Sequence, residues 1–187
     1  MEQTPNLTGH FLIAMPNLAD PNFFHTVTFL CEHNPAGAMG LVVNRPTDIM
    51  LADLAEQIGV EITEPDVANT PIYQGGPVQT ERGFVLHTPF GEWDNSLEVT
   101  PEVTLTLSQD ILEAIGAGVG PEKYIIALGY AGWGEGQLEE ELAANAWLNG
   151  PADASIIFDT PAESRWTAAA SHLGVDLGTL SSDVGHA

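Results

Sequence analysis

Apolar and polar positions alternate in short extended runs over the first half of the chain and take on helical spacing later. His10-Phe11-Leu12-Ile13-Ala14-Met15 is an apolar run of strand length that Pro16 ends, and Asn17 to Asn22 carries turn signals. Thr26 to His33 predicts a second strand with Val27, Phe29 and Cys31 on one face. Thr26, Thr28, Leu30 and Glu32 fall on the other. Asn34-Pro35-Ala36-Gly37 has hairpin length, and Met39 to Asn44 is the natural return strand, stopped by Arg45-Pro46. Asp48 is then placed to cap a helix reaching Gln57 or Ile58, with Gly59 as its stop.

After a poorly patterned stretch from Val60 to Thr70, Ile72-Tyr73, Gly83 to His87, Leu97 to Val99 and Val103 to Leu107 read as strands. Ser108 caps a helix over Asp110 to Ile115. Lys123 to Leu128 predicts a central strand, and Gln137 to Leu148 a helix with glutamates in its first turn. Ala154 to Phe158 reads as a strand, and Thr160-Pro161-Ala162-Glu163 as a capping box that opens a helix to about His172. Strands come first and then alternate with helices, without repeats or linkers. The expectation is one α+β or mixed α/β domain.

Charge narrows the function classes. The chain has 187 residues, of which 44% are hydrophobic, and a formal charge of -22 from 26 acidic against 4 basic side chains. At this length a chain buries roughly 70% of its unfolded surface and folds without staples. Nucleic acid draws its affinity from Lys and Arg on phosphates, so DNA, RNA and anionic membranes are poor partners. Cys31 is the lone cysteine, which suits a reducing compartment. The first residues resemble no signal peptide and no apolar window has membrane-spanning length, so a cytoplasmic location is expected.

The stretch Gly129-Tyr130-Ala131-Gly132-Trp133-Gly134-Glu135-Gly136 reads as a loop joining a strand to a helix, the place where phosphate loops occur. Its glycine spacing is not the dinucleotide fingerprint, no Lys-Ser or Lys-Thr follows, and nearby glutamates repel polyanions. It is therefore expected to be a structural turn or cleft wall carrying an exposed Trp133. Cys31 and His33, two apart on a strand, would share a side, which allows a thiolate–imidazole pair, although Val27 and Phe29 on that face suggest a buried thiol. The histidines lack paired ligand spacing, so no metal and no cofactor is expected. Arg45 and Arg82 stand beside turns, either tying down carbonyls or forming a carboxylate or peptide clamp.

Several short motifs occur together: Phe11 to Pro16 before Asp20-Pro21-Asn22-Phe23, Cys31-Glu32-His33, and Asn44-Arg45-Pro46. Gly75-Gly76-Pro77-Val78, Arg82 to His87, Gly129 to Gly134 with Gly136 to Glu139, and Phe158-Asp159 before Arg165-Trp166 complete the set. Together they closely resemble the YqgE/AlgH family of bacterial proteins, from about Leu7 to the end of the chain. The resemblance implies a single α+β domain over residues 1–187. Its bent, bifurcated β-sheet would close into a pseudo-barrel with flanking helices, and 1–6 and about 176–187 would be tails. The family takes its name from a proposed role in regulating alginate synthesis, and it brings no catalytic residues or cofactor. The reading leans away from an enzyme and toward a cytoplasmic regulatory or interaction protein that does not touch DNA directly. Its partner would be a protein or small ligand held in a cleft formed by Arg45, Gly75, Gly76, Arg82, Gly132, Trp133 and Gly134. The alternative is a thiol-dependent enzyme using Cys31 and His33.

Overall fold

The computed structural model describes residues 6–18 and 20–178, so most of each expected tail lies outside the described residues. Strand β1 (His10–Ala14) is followed by β2 (Val27–Asn34) and β3 (Gly37–Val42), a hairpin turned at the predicted position. Next come β4 (Pro46–Met50), α1 (Leu51–Ile58), β5 (Pro71–Gln74) and β6 (Val78–Thr88). Strands β7 (Ser96–Thr100) and β8 (Val103–Thr106) form a second hairpin ahead of α2 (Gln109–Gly116). The chain then runs through β9 (Lys123–Trp133), α3 (Gln137–Ala143), β10 (Trp147–Pro151), α4 (Ala154–Phe158) and α5 (Arg165–His172). Among the described residues no helix is long and apolar enough to cross a membrane.

The ten strands make one curled, mostly antiparallel sheet in the order β10-β1-β2-β3-β9-β6-β8-β7. Strand β5 joins it in parallel to β9, and β4 hangs on β5. The bifurcation lies along one edge of β9. Residues Ile126 to Leu128 pair with β5, whereas Ala131 to Trp133 pair with β3. Between them Gly75 bridges the two branches: its N–H donates to Leu128 O and its carbonyl accepts from Val42 N, each at 2.8 Å. The backbones meet without room for side chains. A Cβ on Gly76 would stand 2.1 Å from the carbonyl carbon of Tyr130, and one on Gly129 would stand 2.4 Å from Gly76 O. Gly129 also has φ +79°, which favours glycine. The single α+β domain with a bent, bifurcated sheet and flanking helices is the one expected.

Each face of the curl has its own cover. On the inner face Phe11, Ile13, Phe29, Leu41 and Phe84 pack with Ile156 and Ile157 of α4 and Ala169 and Ala170 of α5. The outer face divides between α1 with α2, over Ile72, Val85 and Ile126, and α3 with the segment at Leu7, over Leu12 and Leu30. Because both faces are covered, β2 is buried at five successive positions from Val27 to Cys31, and its alternation does not report one wet side.

Five local expectations change. Strand β9 continues through Trp133 instead of ending at Leu128, because the glycines that read as a loop make the close approaches at the branch. Helix α3 stops at Ala143 and Asn145 takes φ +60°, which frees Trp147 to start the edge strand β10. Ala154 to Phe158 is helical, started by the Asp153 side chain accepting from Ser155 N; so short an apolar run does not distinguish strand from helix by pattern. Asp48 lies inside β4, and α1 starts at Leu51 with Asp53 accepting from Met50 N. Thr160 donates to Ser155 O instead of capping, and a 3-10 turn at Ala162–Ser164 precedes α5.

The branch yields the first prediction. Gly129→Ala combines an unfavourable φ with overpacking against backbone and should destabilise the domain by roughly 3 kcal/mol or more. Gly83→Ala has open space at its Cβ and should change stability by less than ~1 kcal/mol. Urea denaturation of both variants checks the contrast; equal losses contradict it.

Candidate functional site

The inner face is filled by α4 and α5 at one end and open at the other. There it forms a trough of about 730 Å3. Its floor and walls carry Met39, Val78, Phe84, Leu105, Leu107 and Tyr130, several of which continue the inner core. The antiparallel register pairs Leu97 with Leu105, so both point to the same side, and Leu97 remains 47% exposed at the rim. Arg82 lines the trough with its guanidinium carbon 5.5 Å from the Phe84 ring centroid and a hydrogen bond to Gln79 Oε1. Glu32, Asn34 and Asn95 supply the polar edge.

Of the expected cleft residues, Arg82, Gly132 and Trp133 line this trough. Gly75 and Gly76 form the branch of the sheet. Gly134 starts the turn into α3, donating its N–H to Gln137 Oε1. Arg45 ties down the preceding loop by donating to Asn22 O and Phe24 O at 2.7 and 2.9 Å. In that loop His25, at φ +55°, is sandwiched between Phe24 and Trp166 with both ring centroids at 3.8 Å. Trp133, which read as exposed, is only 5% exposed. Its indole N–H and that of Trp147 both donate to Glu141 Oε1, at 3.1 and 2.9 Å.

Cys31 and His33 do not share surroundings. A bulge between Leu30 and Glu32 reverses the alternation, so Cys31 joins the inner core while His33 turns to the opposite face. Burial, helped by the Glu32 charge, pushes the Cys31 thiol far up. Nδ1 of His33 accepts the Leu7 N–H at 2.9 Å, so the ring proton sits on Nε2 and donates to Glu139 Oε1 at 2.7 Å. That bond holds the Glu139 carboxyl below its usual range.

Two arrangements escaped the sequence. Arg165 is buried, donating to Thr160 O, Val43 O and the Tyr73 hydroxyl, and so joins α5 to β5 and to the chain just past β3. Its place beside Trp166 in the motif set was visible, but its partners at Val43 and Tyr73, distant in sequence, were not. The second is a hydrogen-bonded chain on the outer face. His87 Nδ1 meets Pro89 O at 3.1 Å, and His87 Nε2 meets Thr106 Oγ1 at 2.7 Å. Thr106 Oγ1 meets Ser96 Oγ at 2.7 Å, and Ser96 Oγ meets Trp93 O at 3.0 Å. A neutral imidazole and two hydroxyls supply one proton fewer than these contacts require. Protonating His87 would complete the chain, but burial acts more strongly and lowers its pKa, against the Pro89 hydrogen bond. Among the described residues no group of three or more His, Cys, Asp or Glu is arranged to hold a metal.

A curled antiparallel sheet, filled from one end by helices and open at the other, defines an α+β half-barrel class. A family model described as AlgH-like matches residues 11–178. The chain belongs to that family. A UPF0301 protein of Thioalkalivibrio sulfidiphilus is 54% identical over the whole of both chains. One of Nitrosococcus oceani is 56% identical over 96% of each. The solution structure of the AlgH protein from Pseudomonas aeruginosa is 53% identical, with a TM-score of 0.81 over 97% of both chains. A crystal structure of a Corynebacterium diphtheriae protein, 19% identical over 96% of this chain and 94% of that one, has a TM-score of 0.76 and shares the fold.

Two outcomes test this geometry. Cys31 should resist a thiol reagent in the folded protein and react stoichiometrically in denaturant; rapid native labelling contradicts its placement. His87, with a folded pKa below the unfolded value near 6.5, contributes stability that is complete above about pH 6.5. That contribution is lost as pH falls through the depressed folded value. Urea midpoints across this window should fall less in His87→Gln than in the wild type, and parallel curves contradict the assignment.

Proposed function

We infer that the protein works without catalysis, as a regulatory or interaction protein of the bacterial cytoplasm that grips a partner protein in the open trough. One observation carries this reading: where α4 and α5 leave the inner face, a trough of about 730 Å3 stays open, lined by the part-buried Met39, Leu107 and Tyr130 beside the exposed Leu97. A concave apolar surface with a few converging polar groups is what binding sites are built from. The nucleophile–base alternative has less support, because Cys31 is buried and both ring nitrogens of His33 are engaged elsewhere. A charge of -22 favours control through protein contact over contact with DNA. This agrees with a regulatory role of the kind for which the family was named.

Capture from the cytosol of the source bacterium tests the reading. Immobilised wild-type protein should retain a partner that the Arg82→Ala, Leu97→Asp double variant loses by about tenfold or more. Arg45→Ala should retain it, since Arg45 serves the loop at Asn22 to Phe24. If the double variant keeps its fold by circular dichroism and every wild-type partner, the trough is not the contact site.

A further inference from the structure

We propose that the trough receives an extended segment of a basic partner protein, which pairs with β7 as an added strand and fills the gap in the half-barrel. This rests on the trough being the contact site and specifies what enters it. Strand β7 ends the order of the sheet and pairs only with β8 among the described strands. An antiparallel edge strand directs about half of its N–H and C=O groups away from its neighbour. On the outer edge of β7 no backbone hydrogen bond to another segment is found among the described residues. Leu97 and Glu98 are both exposed there. The far end of β7 is blocked, since the chain at Gly9 packs on it so closely that a Cβ would lie 2.7 Å from Thr100 Cγ2. The accessible part therefore starts at Ser96, beside the trough.

The chemistry of the segment follows from the two sides of this edge. Leu97 shares the trough side with Leu105, so every second residue of an added strand would lie over the trough beside Leu97 and Leu107 and should be apolar. Glu98 pairs with Thr104 and projects to the opposite side, so the intervening residues would stand next to a carboxylate and should be basic. Glu32 on the hairpin wall and the charge of -22 act in the same direction, speeding encounter with a cationic chain. Arg82, stacked over Phe84 and bonded to Gln79, forms part of the wall.

The test uses the full chain, labelled for NMR, and a short peptide of alternating lysine and valine blocked at both ends. Saturable shifts and slowed exchange of the outward-facing Ser96 and Glu98 amides are expected, with methyl shifts at Leu97 and Leu105. Glu98→Lys should weaken binding by about fivefold or more, and a glutamate–valine peptide should not bind. Methyl shifts in the trough with unmoved β7 amides would overturn strand addition while leaving the trough as the contact site. Equal binding of the glutamate–valine peptide would overturn the basic partner. Octanoate binding at Arg82 without peptide binding, or self-association through β7 that Glu98→Lys abolishes, would replace the proposed occupant by a small carboxylate or a second copy. If neither β7 amides nor trough methyls respond to the peptide, the proposal is wrong; capture by the wild type but not by the Arg82→Ala, Leu97→Asp variant would still stand for the contact site.

Discussion

Three backbone segments converge at the branch of the sheet with no space between them for a single Cβ. Gly76 lies against the peptide of Tyr130, Gly129 lies against Gly76 O, and Gly75 hydrogen-bonds to both branches. Long strand β9 can then serve β5 with one half and β3 with the other, so the sheet bends instead of lying flat. Bending gives the inner face its concavity. Helices α4 and α5 fill one end of that concavity, and the trough is what they leave. A glycine-rich stretch that invites a phosphate-loop reading is therefore the hinge line of the architecture.

The acidity of the chain is partly inward-directed. Glu141 gathers the indole N–H groups of Trp133 and Trp147, while Phe23 lies edge-on to Trp147 with centroids 5.3 Å apart. Glu139 holds His33, which in turn holds the chain at Leu7. These charge-assisted bonds give helix α3, only 7 residues long, fixed attachments that a helix of that length needs from its surroundings. Exposed carboxylates elsewhere among the described residues contribute long-range attraction for cations more than fold stability.

Much of the fold was legible because it rests on local signals. The β2–β3 hairpin follows from Asn34 to Gly37, and the end of α1 from Gly59. The motif set carried the family and the bifurcated sheet. Errors arose where tertiary packing outranked pattern: glycines inside β9, an apolar run at Ala154 to Phe158 short enough for either state, and the bulge that turns His33 away from Cys31. Only part of the site was legible. Arg82, Gly132 and Trp133 reached the trough, but Leu97, Leu105 and Phe84 meet there through strand pairing across the sheet, and single-strand alternation does not encode that.

The half-barrel thus separates two roles that lie close together in sequence: glycines at the branch hold the curve, and apolar strand positions line its open end. Side-chain hydroxyl-radical footprinting in native cytosol, compared with the purified protein, addresses this most directly. Protection should concentrate on Met39, Leu97, Leu107 and Tyr130, the accessible side chains around the trough. Protection centred instead on the Phe24, His25 and Trp166 stack, with the trough residues equally oxidised in both conditions, would contradict the account.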